Sequence, residues 1–116
     1  SATFHKTVAV NGLNVFYREA GDVSKPTILL LHGYPTSSHM FRNLITDLSV
    51  QYHVLAPDYP GFGRSDQPLI KDFDYTFDNM SNNVEGFVKE FKVEKEQTKQ
   101  HKVSMEISLD HIIESP

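Results

Sequence analysis

The sequence predicts an α/β fold holding part of a mixed sheet, and three observations carry that expectation. Two extended segments flank Asn11-Gly12. An aliphatic run from Thr27 to Leu31 precedes a stretch with helical spacing and then a second short apolar segment. From Phe77 to Phe91 apolar residues recur in steps of three and four. These read in turn as a hairpin, a βαβ unit and a following helix.

Phe4 to Val10 is rich in β-forming residues, and after Asn11-Gly12 the residues Leu13, Val15 and Tyr17 alternate with Asn14, Phe16 and Arg18. Period-two segments around Asn-Gly are the strongest short-range hairpin signal in a sequence. Gly21-Asp22 and Lys25-Pro26 punctuate the next loop. Thr27 to Leu31 has the continuous aliphatic character of a strand buried on both faces of a parallel sheet. Pro35-Thr36-Ser37-Ser38 supplies N-cap residues for a helix whose apolar face is Phe41, Leu44, Ile45 and Leu48, at i, i+3, i+4 and i+7. Tyr52 to Pro57 reads as the second strand, and the crossover between the two strands should be right-handed. Met80, Val84, Phe87, Val88 and Phe91 then mark a helix of about four turns.

Composition narrows the function classes. With 116 residues the chain is one domain, and its 39% hydrophobic and 22% charged content is that of an ordinary globular protein. Lys+Arg 11 against Asp+Glu 15 gives a net charge of −4, so neither nucleic acid nor a membrane is expected as a partner, since both select a clustered basic face. Cys 0 excludes disulfides, thiolate metal sites and a cysteine nucleophile. The longest aliphatic run, Ile28 to Leu31, is far too short to span a bilayer, and no leader pattern opens the chain, so a cytoplasmic protein is expected. The sequon Asn79-Met80-Ser81 falls within the predicted second helix and is read as chance.

Two loops could carry chemistry. His32-Gly33-Tyr34-Pro35 leaves a buried parallel strand, and such a turn can present a backbone N–H at the carboxyl edge of a sheet, where it can stabilise an oxyanion. Taken alone, these residues are read more plainly as a strand end and a loop proline. Asp58-Tyr59-Pro60-Gly61-Phe62-Gly63-Arg64-Ser65-Asp66 follows the second strand. Gly61-x-Gly63 lacks the third glycine of a dinucleotide fingerprint, and Asp58 and Asp66 would repel a pyrophosphate. Gly63-x-Ser65-x-Gln67 lacks the last glycine of a nucleophile elbow, which must also lead straight into a helix. Ser65 is therefore read as a loop hydroxyl. The six histidines (5, 32, 39, 53, 101 and 111) show no i, i+4 pair, so neither a metal nor a cofactor is expected. Asp110 and His111 would face opposite ways on a strand.

Together, the element order and the two loops resemble the N-terminal segment of α/β-hydrolases of the epoxide hydrolase and haloalkane dehalogenase group, over about residues 3–95. The resemblance implies that His32, Gly33, Tyr34 and Pro35 form the oxyanion loop, with the Tyr34 backbone N–H as one donor. Asp58, Gly61, Gly63, Arg64, Ser65 and Asp66 would form a structural loop whose charged groups bond within the scaffold. Dehalogenases of the group usually place a halide-binding Asn where Tyr34 stands, so the resemblance leans toward epoxide hydrolysis.

In that family a buried strand with the nucleophile follows the second helix. Here residues 92–102 instead form a charged linker or helix extension, and residues 103–116 form a divergent tail in which Val103, Met105, Ile107 and Leu109 alternate like an edge strand. Residues 1–91 correspond to the N-terminal part of the core. The nucleophile-elbow half and the cap have no counterpart. The expectation is a truncated hydrolase-derived chain, inactive alone. The alternatives are a half-enzyme completed in trans or a binding and self-associating module. The segment 103–109 would cover the open edge beside Thr27–Leu31, or that edge would take a second copy or a complementing chain.

Overall fold

The computed structural model describes residues 2–32, 37–69, 71–97 and 112–114. β1 (Thr3–Val10) and β2 (Leu13–Ala20) form an antiparallel hairpin in which Val10 lies opposite Leu13. Asn11 and Gly12 adopt φ of 50° and 83°, the pair of positive values that a tight turn needs to follow the right-handed strand twist. β3 (Thr27–Leu31) is buried at every residue. A 3₁₀ turn (Ser38–Phe41) leads into α1 (Arg42–Leu48), then β4 (His53–Pro57), α2 (Phe77–Gln97) and β5 (Ile112–Glu114).

The sheet order is β1-β2-β4-β3-β5. β2 and β4 are antiparallel, whereas β3 is parallel both to β4 and to β5. β2 is thus an internal strand, which is why it is buried from Val15 to Ala20 although its sequence alternates. Each face of the sheet has its own core. Val10, Val15, Tyr17, Leu29, Leu31 and Leu55 pack with Phe87 and Phe91 of α2. Ala20, Ile28, Leu30, Val54 and Ala56 pack with Phe41 and Ile45.

Leu44 and the strand beside β3 differ from the sequence-based expectation. Leu44 remains 38% exposed, because a seven-residue helix turns only Ile45 and its flanks toward the sheet. α2 continues past Phe91 through the charged residues to Gln97. The strand beside β3 is Ile112–Glu114, paired over Leu29, Leu30 and Leu31, while the segment 103–109 lies outside the described residues. No helix among the described residues is long and apolar enough to cross a membrane.

Candidate functional site

Parallel β3 and β4 end at the same edge of the sheet, so the loops that follow them leave side by side. His32 directly follows β3 and is 3% exposed. Its Nε2 accepts the Tyr59 backbone N–H at 2.9 Å, and its ring packs on those of Tyr59 and Phe62 at centroid separations of 4.5 and 6.0 Å. A nitrogen that accepts a main-chain proton is occupied, so His32 is a scaffold residue and not a proton acceptor for chemistry. Gly33, Tyr34 and Pro35 lie outside the described residues.

The chain resumes at Ser37, whose side chain caps the 3₁₀ turn by accepting from the His39 N–H. Ser38 is fully buried, and its N–H donates to Asp58 Oδ1 at 2.6 Å. The segment between His32 and Ser38 is therefore held at its entry by Tyr59 and at its exit by Asp58. Two consecutive residues after β4 grip both ends of the loop after β3.

Asp58 is 1% exposed, and its other oxygen, Oδ2, accepts the Arg64 N–H at 3.0 Å. Charge-assisted acceptance from main-chain amides is among the stronger bonds available to a buried carboxylate. The chain returns over this carboxylate at Gly63, with φ of +55°, where a Cβ would lie 2.1 Å from Oδ2. Only glycine fits. The Ser65 hydroxyl donates to the Asp58 carbonyl at 2.7 Å and accepts the Phe16 N–H at 2.9 Å. Both of its hydrogen-bonding roles serve the main chain, and the next helix begins only at Phe77, so Ser65 has neither the free hydroxyl nor the setting of a nucleophile. Asp66 exchanges bonds with Asn14: Oδ2 accepts the Asn14 N–H at 2.8 Å, and the Asp66 N–H donates to the Asn14 carbonyl at 2.9 Å. The Gly61 N–H donates to the Asp66 carbonyl, closing the loop on itself.

Two clusters were not anticipated. At the amino ends of β3 and β4, Thr27 Oγ1, His53, Glu19 and Lys6 form a chain of contacts of 2.9, 2.7 and 2.9 Å, with His53 fully buried. The signal for it was present in β2: Glu19 shares the inward phase of Val15 and Tyr17, and a carboxylate in that phase calls for a buried partner. It lies at the opposite end of the sheet from the loops. The second cluster surrounds Phe16, where Arg18 and Arg64 place their guanidinium carbons 5.3 and 5.2 Å from the ring centroid. Arg18 is held below the usual arginine value by burial first, with Asp58 acting upward and Arg64 downward. Among the described residues, no three His, Asp or Glu side chains converge as metal ligands.

A family model described as alpha/beta hydrolase fold matches residues 26–104. An uncharacterized hydrolase of Saccharomyces cerevisiae is 47% identical over 94 residues, covering 81% of this chain and 32% of the relative. A haloalkane dehalogenase of Bradyrhizobium diazoefficiens is 40% identical over 81 residues, covering 70% and 25%. Among solved structures, a loop variant of the haloalkane dehalogenase DbeA from Bradyrhizobium elkanii superposes with a TM-score of 0.74 at 33% identity, covering 79% of this chain and 29% of that one. An epoxide hydrolase superposes with a TM-score of 0.70 at 31% identity, covering 78% and 30%. The chain thus spans a third or less of the length of these relatives.

Proposed function

Because this chain belongs to the alpha/beta hydrolase fold family, we propose that it supplies the oxyanion half of a hydrolase active site of the epoxide-opening kind. The observation that supports the reading is the double anchorage at Tyr59 and Asp58 of the segment containing Tyr34. An N–H donor aids a transition state most when it is already held where charge develops, since nothing then has to reorganise during the reaction. The Tyr34 backbone N–H is the proposed donor. His32, Asp58 and Ser65 are scaffold, each already engaged with main chain. The nucleophile, the second acid and the catalytic histidine come from outside these 116 residues, either from further sequence of the same protein or from a separate chain. Because nucleophile, base and acid act as a unit, the 116 residues alone turn over no ester, epoxide or haloalkane.

Tyr34 stands where the group's dehalogenases usually carry a halide-binding Asn, and this favours epoxide opening. Dehalogenation is the second reading, favoured by relatives that are named haloalkane dehalogenases. Fusing residues 1–95 to the remaining two thirds of the yeast relative tests the proposal. The fusion should hydrolyse an aryl epoxide while the isolated chain does not. A folded fusion that releases halide from a haloalkane and leaves epoxides intact would select the second reading. A folded fusion inert toward all three substrate classes would sink both.

A further inference from the structure

We infer that Arg18, Arg64 and His5 form a site for a small oxyanion, a carboxylate or a phosphate, on the face of the hairpin away from α2. Register builds it, because His5 lies opposite Arg18 on the antiparallel pair. Arg18 Nη1 meets His5 Nε2 at 2.9 Å, and since a guanidinium only donates, that imidazole nitrogen accepts. Arg18 Nε donates to Ser38 Oγ at 3.0 Å. Nη2 has no hydrogen-bond partner among the described residues.

A guanidinium this buried normally faces an acid, yet the ion pairs among the described residues are Lys6–Glu19 and His53–Glu19. Arg18 is 7% exposed, and the acid whose field reaches it, Asp58, already accepts from the Ser38 and Arg64 amides. The exposed Arg64 side chain rests on the same Phe16 ring that Arg18 covers, and the His5 ring meets it edge-on at 5.6 Å. Asp66, the other nearby acid, is turned to the Asn14 amide. Arg18 thus feels Asp58 only through a carboxylate already engaged by main-chain amides, while the Arg64 cation opposes it. Guanidinium groups offer paired coplanar N–H donors that match two oxygens of a carboxylate or phosphate, and an anion at Arg18 Nη2, within the field of Arg64, completes the donor set.

His5 reports on occupancy. It is held below its ordinary value by desolvation first, then by the Arg18 and Arg64 cations. An anion that cancels part of this field raises the His5 value, and by linkage binding is tighter when His5 is protonated. The test is a pH titration of the His5 ring protons by NMR in the full chain, in inorganic phosphate, in acetate, and in sodium chloride of matched ionic strength. A saturable upward shift in phosphate or acetate beyond that in chloride is expected, and the anion that saturates at lower concentration identifies the preferred source. Arg64→Gln, which keeps the main-chain bond to Asp58, should weaken saturation about tenfold. Equal shifts in all three salts, or saturation unchanged in Arg64→Gln, would overturn the site.

Discussion

Replacing Asp58 with alanine tests how the two loops are held. Its carboxylate accepts the Ser38 N–H at 2.6 Å and the Arg64 N–H at 3.0 Å, inside a residue that is 1% exposed. Hydrogen bonds to a charged group contribute roughly 1.5–3 kcal/mol each, and losing the acceptor leaves the donors to bear their own desolvation. Ser38 is fully buried and keeps that penalty, whereas Arg64 is exposed and can turn its amide to water. The two contributions therefore sum to about 3–4 kcal/mol, a large share of the ~5–15 kcal/mol that holds a typical domain folded. With a urea slope of ~1–3 kcal/mol/M, the unfolding midpoint should fall by about 2 M. Asp58→Asn keeps one acceptor oxygen but turns an NH2 toward the other amide, so it should recover about half of that loss. Equilibrium urea unfolding followed by circular dichroism measures both. An Asp58→Ala midpoint indistinguishable from the parent would refute the reasoning, as would an asparagine variant as stable as aspartate.

Three further outcomes follow from the same geometry. Ser65→Ala removes the hydroxyl that joins the Phe16 N–H to the Asp58 carbonyl and should cost about 2 kcal/mol in urea unfolding, while a neutral substitution would contradict its bridging role. Glu19→Ala leaves buried His53 and half-exposed Lys6 without their carboxylate and should cost about 3 kcal/mol, so thermal unfolding within a degree of the parent would count against the cluster. Removing residues 112–116 exposes the main chain of Leu29–Leu31 as an apolar edge and should raise light scattering with concentration; a monomer at every concentration would show that β5 protects nothing.

What could be read in the sequence was local in origin. The hairpin was legible because Asn11-Gly12 encodes its own positive φ values, and β3 because four aliphatic residues in a row after Thr27 fit a strand covered on both faces. Features that depend on distant partners were not. The identity of the strand beside β3 is set by where the chain arrives after α2; period-two alternation at 103–109 carries no information about that, and Ile112–Glu114 holds the edge. Both loops were legible as motifs, but Asp58 meets Ser38 twenty residues earlier, and Ser65 meets Phe16 forty-nine earlier, so their hydrogen bonds had no local signal. The Phe16 cluster escaped notice for the same reason: it joins residues of β1, β2 and the loop after β4.

We propose that the Tyr34 backbone N–H, in the segment whose flanking residues His32 and Ser38 are anchored at Tyr59 and Asp58, serves an oxyanion. The most direct test is kcat for epoxide hydrolysis by the fusion described above, with Tyr34→Phe compared against Tyr34→Pro. Phenylalanine keeps the N–H and should keep kcat, whereas proline removes it and should lower kcat about 10²–10³-fold. Equal kcat for the two variants, both folded, would contradict the account.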